Sequence, residues 1–542
     1  MASFQILADE WSSLRGRQSH WLSYWQDLTD VLQPNQNDFI RQNTRGTSRE
    51  TAIYDGTPRI ALRDLASTLD GLMKPKTSNW FEPTVDDEQI AAIDESKIWL
   101  EIVRERMWRS IYSKGARFIQ RSGEVDQSLA AIGWGTLWLQ ENKTRNGLLF
   151  RSFHASKVAY DENEDGIIDK IAVTEMMSPR QVEGLYKRVG KSPSTVIVDA
   201  LRRVQKGTER FPIVQIVVPQ GDKTASTFGG MNMPFLSAVL DIKGEQIITE
   251  MGFMEFPAAI PRWDTSPDEI YPRSPGMMAL PDAKTLQAMG KTLLVGGQRA
   301  VDPPIWVQND SILSSLRTFP GGVTVLDTSD ASGAPIGAFP TSTNIPLGRE
   351  MQNDYRRNVE AAFFKNVFNL PIQSRTMTAT EILERKEEFI RVIGPVFGRL
   401  ETDYIGQTVD RAFGIMERAG AFPPRPDVLL EQTISFKFQS PIQQARRQLE
   451  IAGMARALEV LEPLRAHQPE IMDNFDGDEI TRDAPVWSGM PQKWMRTLEG
   501  VEGLRTSRAE QQQKQEAMAS VEPTSKALKN VASAEGVLAQ QG

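Results

Sequence analysis

Residues 275–300 read PGMMALPDAKTLQAMGKTLLVGGQRA, and the fold turns on this stretch and the two that follow it. Pro275 suits the first turn of a helix, where a backbone N–H has no intrahelical partner to lose. Leu286, Met289 and Leu293 then recur at three- and four-residue spacing, which predicts a helix ending near Gly297 or Ala300. Residues 303–346 break that pattern. They are rich in Pro, Gly and Ser, with short apolar runs at Ile305-Trp306-Val307 and Val323-Thr324-Val325-Leu326, and read as a small β-rich insertion. A helix resumes over about 347–366, and a polar break from Asn366 to Met377 contains Pro371. Thr378-Ala379-Thr380-Glu381 is a capping box, Thr378 as cap and Glu381 reaching back. It opens a long helix predicted to end near Gly420, kinked at Gly394-Pro395 because proline removes a backbone donor.

Outward from this frame, the N-terminal half is mixed. Residues 4–33 predict one helix with Leu7, Trp11, Leu14, Trp21, Trp25, Leu28 and Leu32 on one stripe. Its polar face carries both signs (Asp9, Glu10, Arg15, Arg17, Asp27, Asp30), which favours burial in a protein core over a membrane surface. Asn35–Arg49 is a polar arm with Arg41, Arg45 and Arg49. Further helices are predicted over Pro58–Met73 and about 88–120. From Gly133 to Ile270 the pattern changes to strands. Asn146-Gly147 and Lys243-Gly244 mark hairpins, 213–218 is a β-branched central strand, and 178–207 is helical. Residues 441–518 read as helical, and 519–542 as helical or disordered. The class is α+β, predominantly helical.

The chain has 542 residues, a prior of several domains or fewer large ones. Its 40% apolar and 24% charged residues and mean hydropathy of −0.37 fit a water-soluble globular protein. Lys and Arg number 62 against 70 Asp and Glu, a net charge of −8, opposite to the balance of a free non-specific DNA binder. With no cysteine there is no disulfide, thiolate metal site or Cys nucleophile. His20, His154 and His467 lie far apart. The first ten residues lack a signal-peptide pattern, and no apolar run approaches the 18 or so a span needs, so the chain is expected to be cytosolic where made, without membrane contact.

Two motifs invite an enzymatic reading, and both fail it. Gly184 to Ser192 resembles a phosphate-binding P-loop, but five residues separate Gly184 from Gly190 where four are needed, and Pro193 stands where the next helix should start. A helix cap and turn is the better reading. Asp161–Asp169 matches the start of an EF-hand loop, yet its twelfth position is Ala172 where a bidentate Glu is required, and the flanks read as strands. An acidic hairpin turn is expected there. No catalytic residue, metal site or cofactor is predicted.

Several clusters, in order from about residue 50 to 450, carry a family resemblance. They include Asp55-Gly56-Thr57, Trp80-Phe81, Gly133-Trp134-Gly135-Thr136, Arg273-Ser274-Pro275-Gly276 and Asp302-Pro303-Pro304. Met377 to Glu381, Gly394 to Leu400, and Ser440-Pro441 with Gln444-Ala445-Arg446-Arg447 complete them. Together they resemble the portal, or head-to-tail connector, of short-tailed bacteriophages. The resemblance implies a portal-type fold: a wing over 1–273, stem helices at 274–302 and 347–366, and a clip at 303–346. A tunnel loop at 367–377, a kinked helix with wing return at 378–440, a crown at 441–518 and a C-terminal tail at 519–542 follow. Gly290, Gly296 and Gly297 would let neighbouring backbones approach in the stem. The implied role is structural: a dodecameric ring at the portal vertex of the virion, assembled in the host cytoplasm, through which double-stranded DNA passes. Terminase, tail adaptor, major capsid and scaffolding proteins are the implied partners. A terminase ATPase would need a working Walker motif, and a scaffold or adaptor protein would lack the α+β half. Lys365, Asn366, Asn369, Gln373, Ser374 and Arg375 are the expected DNA-channel residues, and Trp306 and Phe319 the expected docking residues of the clip.

Overall fold

The computed structural model describes residues 2–36, 38–41, 53–76, 78–142, 147–203, 209–220, 233–267, 269–308, 317, 319–326, 336–338, 345–365, 394, 396–438, 453, 477–478, 480–481, 495–496 and 500–514. The chain divides into two compact units. The first joins Met1–Glu82, Arg106–Phe422 and Phe438–Pro441; the second joins Pro83–Glu105, Pro423–Lys437 and Ile442–Gly542.

The first unit opens with α1 (Ala2–Gln18) and α2 (Leu22–Leu32), separated by one 3₁₀ turn at Ser19–Trp21, so the predicted single helix is broken once. Pro58 sits in the first turn of α3 (Thr57–Met73), whose Leu62, Leu65 and Leu69 are buried. The single helix expected over 88–120 is three pieces: α4 (Glu88–Ala92), α5 (Asp94–Ile111) and the start of α6 (Phe118–Ile132). Ile93 is extended and Arg117 takes a left-handed φ of 61°, so two backbone breaks interrupt an otherwise helical periodicity.

The strands of the N-terminal half are β1 (Phe81–Val85), β2 (Thr136–Glu141), β3 (Leu148–Phe153), β4 (Val158–Glu162) and β5 (Ile168–Met177). After α7 (Pro179–Val189) and α8 (Thr195–Arg202) come β6 (Phe211–Pro219), β7 (Phe235–Asp241), β8 (Gln246–Phe253) and β9 (Ala258–Ala259). A five-stranded antiparallel sheet has the order β4-β5-β6-β7-β8, with β6 central as its composition predicts. Alternation along β6 sends Val214 and Ile216 to one face, where Leu7 and Leu14 of α1 cover them. Phe211 and Ile213 face the other way, against Val182 and Tyr186 of α7 and Ile197 of α8. A second sheet, β3-β2-β9, lies beside an aromatic core of Trp25, Trp134, Tyr160 and Tyr271, each fully buried. Trp25 meets Tyr271 and Trp134 meets Tyr160 edge-on, with centroids 5.2 and 5.0 Å apart.

The predicted helix–insertion–helix frame is present. It consists of α9 (Pro275–Val301), β10 (Ile305–Gln308), β11 (Val323–Leu326), β12 (Ile336–Ala338) and α10 (Ile345–Ala362). A helix then runs through 396–400, a π-helical turn at Glu401–Gly406 and α11 (Gln407–Arg418), ending before Gly420 at φ 67°. Its expected start at Thr378 and most of the 441–518 helical region lie outside the described residues. In the second unit, β1 and β13 (Ile434–Phe438) form a two-stranded sheet, and Trp99 Nε1 donates to Pro423 O at 3.1 Å.

The root of α9 is pressed onto the end of α6. Ser274 Oγ donates to Ala131 O at 2.8 Å and accepts from Met277 N at 2.9 Å. A Cβ added at Gly276 would lie 2.3 Å from Ala131 O, whereas one added at Gly297 would meet nothing within 4 Å. Gly276→Ala is therefore expected to cost about 1–3 kcal/mol through overpacking, while Gly297→Ala gains about 1 kcal/mol of helix propensity. Chemical denaturation of the two variants against the parent chain checks both signs.

Candidate functional site

The frame's two helices run antiparallel, since Gly348 faces Leu293 while Gly290 faces Gln352 further along. A polar hub ties both to the chain entering α3. Gln287 of α9 accepts from the backbone N–H groups of Tyr54 and Asp55 at 2.7 and 2.9 Å and donates to Asp55 O at 2.7 Å. The buried Asp55 carboxylate accepts from Gln352 Nε2 at 3.2 Å and Arg356 Nε at 2.9 Å, both on α10, and from Thr57 N at 2.9 Å. Burial alone would raise the pKa of Asp55, but the Thr57 bonds and the Arg356 guanidinium outweigh it and hold the group below the usual carboxylate range. Gly290 permits this closeness: a Cβ there would lie 2.9 Å from Tyr54 Cβ. Of the other expected stem glycines, Gly296 is buried and Gly297 faces open space within its own chain.

Beyond the helices, β10 pairs in parallel with β11 and antiparallel with β12. Trp306 lies on the central strand, opposite Thr324 and Gly337, and is half-buried. Phe319 precedes β11 and is 56% exposed, in a turn closed by Gly322 N donating to Phe319 O at 3.0 Å. Gly321 holds a φ of 69° within reach of the Asp302 carboxylate, a position that suits only glycine comfortably.

At the other end of α10, Phe363 is buried and Phe364 takes a left-handed φ of 58°, turning the chain out of the helix. Lys365 Nζ lies 2.7 Å from Glu360 Oε1, so its charge is answered within its own subunit. Asn366, Asn369, Gln373, Ser374 and Arg375 lie outside the described residues.

Where the chain is described again, three ion-pair sites hold it to the α+β body. Arg262, 8% exposed, reaches Asp403 Oδ2 at 3.0 Å, Glu162 Oε2 at 2.6 Å and Gly166 O at 2.9 Å. Lys74, 1% exposed, lies 2.6 Å from Asp126 Oδ2 and 3.2 Å from Tyr404 Oη. Glu255 pairs with Arg411 and Arg418. None of these ion pairs carries a sequence signature, because the partners lie 52 to 163 residues apart. Asp55 and Glu162 stand within stretches singled out from the sequence, Asp55-Gly56-Thr57 and Asp161–Asp169, neither with this role attached.

The two rejected motifs fold as their flanks imply. Gly190 caps α7 at φ 71°, and Lys191 Nζ donates to Ile247 O at 2.9 Å. Asp161–Asp169 is a strand–turn–strand hairpin, with Asn163 Oδ1 accepting from Asp165 N and Ile167 N. Asp161 is already engaged by Arg17 at 2.5 Å and Glu162 by Arg262. Among the described residues no group of three or more His, Asp or Glu is placed to hold a metal ion. Isothermal calorimetry with calcium is expected to give no tight site that Asp161→Ala abolishes. Among the described residues, no helix is long and apolar enough to cross a membrane.

An α+β body, an antiparallel helix pair rooted in it, and a small sheet at the far end of that pair define a portal-type head-to-tail connector subunit. The chain matches the family described as "Bacteriophage head to tail connecting protein" over residues 5–495. It is 26% identical to the portal protein of Salmonella phage epsilon15 over 521 residues, 95% of this chain and 92% of that one. It is 25% identical to the probable portal protein of Bordetella phage BPP-1, over 94% and 92% of the two chains. Among solved structures, a chain titled "Neck of empty GTA particle computed with C6 symmetry" aligns with 77% of this chain and 90% of its own, at 10% identity and a TM-score of 0.35. This chain belongs to the bacteriophage head-to-tail connecting protein family.

Proposed function

We propose that the chain is the portal subunit of a short-tailed bacteriophage. Twelve copies close into a ring at one capsid vertex, and double-stranded DNA enters and leaves through its centre. The ring is seated among the major capsid and scaffolding proteins, and its clip docks the terminase during packaging and the tail adaptor afterwards. Its role is structural; the ATPase that drives packaging resides in the terminase. The observation that carries this reading is the stem, α9 and α10 fixed to one body through Asp55 with a separate small sheet beyond them. Leu294 and Val301 on α9, and Met351 on α10, are 52, 88 and 47% exposed. In a ring these exposed apolar side chains are suited to face the adjacent subunit. The net charge of −8 suits a conduit that must not hold its cargo, since each phosphate neutralised by Lys or Arg strengthens attachment.

Native mass spectrometry with negative-stain microscopy tests the reading: closed rings with a central hole support it, and a monomer at micromolar concentration defeats it. The clip has its own test. Deleting 310–335 is expected to leave rings intact and abolish binding of terminase and adaptor, because Phe319, 56% exposed, offers an apolar side chain to a partner. Normal binding of both partners by the deleted form would remove docking from the clip.

A further inference from the structure

The five-stranded sheet carries opposite charge at its two diagonal corners. Between Arg180 and Arg210 the sequence has eight Lys or Arg against three Asp or Glu, in a chain whose net charge is −8. Between Asp161 and Asp169 it has five acids and no cation. The register places these patches. Ile171 pairs with Val217 and Pro219 with Phe235, so the β4–β5 turn lies at the end of the sheet where β6 finishes. Met177 pairs with Phe211 and Ile213 with Asp241, so α7 leaves the sheet, and the chain from α8 rejoins it, at the opposite end. There Lys191 reaches β8 through Ile247 O, and Lys243 lies in the β7–β8 turn. The acidic turn is thus at the β4 edge and one end; the basic layer is towards the β8 edge and the other end. Four strand spacings across and about seven residues along put roughly 19 Å by 23 Å between them, well beyond the Debye length at physiological salt.

Each patch is satisfied internally only in part, Asp161 by Arg17 and Glu162 by Arg262 at the acidic turn, Lys187 by Glu183 and Arg202 by Asp199 in the basic layer. Arg180, Arg188, Lys191 and Arg203 are exposed and have no carboxylate partner among the described residues; the same holds in reverse for Glu164 and Asp165. A closed ring is built from heterologous contacts, in which one flank of each copy meets the other flank of the next. We propose that the basic α7–α8 surface is the docking face for the acidic β4–β5 turn of the adjacent copy, and that this pairing steers subunits into one ring direction. The inference rests on the ring reading above. A second copy is favoured over nucleic acid as occupant because the same chain holds the complementary charge at the opposite corner.

The test is a charge-reversal pair in the full-length chain. Glu164→Lys with Asp165→Lys, and separately Arg188→Glu with Arg203→Glu, alter exposed side chains only, and circular dichroism checks that each variant is folded. Ring fraction against protein concentration is read by native mass spectrometry at low salt. Each double variant is expected to need about tenfold more protein to reach half assembly, the deficit shrinking as salt is raised. The quadruple variant, with both corners reversed, is expected to return to within about threefold of the parent. Unchanged assembly in either double, or no rescue in the quadruple, overturns the pairing. So does loss of DNA binding by the Arg188/Arg203 variant with rings unaffected, which would assign that face to nucleic acid. A parent chain that forms no ring at all is a different result: it refutes the ring reading itself.

Discussion

Lys74→Met is expected to destabilise the first unit by about 3–5 kcal/mol, because it leaves a buried carboxylate without its counter-ion. Lys74 and Asp126 are 1 and 2% exposed, joined at 2.6 and 2.8 Å, and Tyr404 Oη closes the group by donating to Ser122 O at 3.4 Å. The cost comes from the charge that remains, not from the strength of the pair. Lys74→Met with Asp126→Leu, which removes both charges and keeps the volume apolar, is therefore expected to recover most of the loss. The pH dependence carries an independent signature. Burial raises the Asp126 pKa to about 6, against the pull of Lys74. The folded state then binds more protons than the unfolded one between about pH 4 and 6, so this group's contribution falls as pH rises through that window. In Lys74→Met the opposing cation is gone, so the window extends upward and the variant's deficit narrows on acidification from pH 7 to 5. Asp55 has the opposite sign. Its lowered pKa contributes stability at neutral pH that is lost as pH falls through the acid range. Hydrogen-exchange protection of α3 and α6, followed across pH for parent, single and double variants, reads this unit alone. An equal deficit at pH 5 and pH 7 would show that the loss is one of packing.

These pairs mark where sequence reading stops. The helix–insertion–helix order was legible because the first helix carries its own signals: Pro275 at its start, a Leu286–Met289–Leu293 stripe, and Pro- and Gly-rich sequence after it. The central place of β6 followed from its β-branched run. The breaks at Ile93 and Arg117 were not legible, because neither residue type marks a break and only the tertiary surroundings hold Arg117 at positive φ. Lys74, Asp126, Arg262, Asp403 and Asp55 were silent for a different reason. A lone Lys or Asp on a helix reads as a solvated charge, and what makes these exceptional is a partner 52 to 301 residues away. The helix cap at Gly190 and the hairpin turn at Asp161–Asp169 were legible from spacing and flanking residues, which sequence states directly.

Residues 365–375 carry the last expectation, that Lys365→Ala with Arg375→Ala leaves ring assembly intact and lowers the yield of DNA-filled particles on the order of tenfold. The segment follows a helix whose end is turned outward by the left-handed Phe364. In the sequence Pro371 limits the backbone and the capping box at Thr378 is expected to restart a helix, so the residues between are expected to be a short polar loop. Repeated around the proposed ring, such a loop would touch phosphates without reading bases. Lys365 adds a detail that the residue types alone do not contain. Its Nζ is 2.7 Å from Glu360 Oε1, so at rest its positive charge is compensated inside the subunit. A passing phosphate must compete with that carboxylate, which weakens each contact and suits a surface along which DNA slides. Removing Lys365 also frees Glu360, so Lys365→Ala turns a neutral pair into a ring of negative charge. Lys365→Ala alone should therefore impair filling more than Lys365→Ala combined with Glu360→Gln, which restores neutrality. Particles counted by density gradient and by genome length separate these cases. Full-length DNA held at parental yield by Lys365→Ala/Arg375→Ala particles would exclude the segment from the channel mechanism, and equal defects with and without Glu360→Gln would exclude the compensating role of that carboxylate.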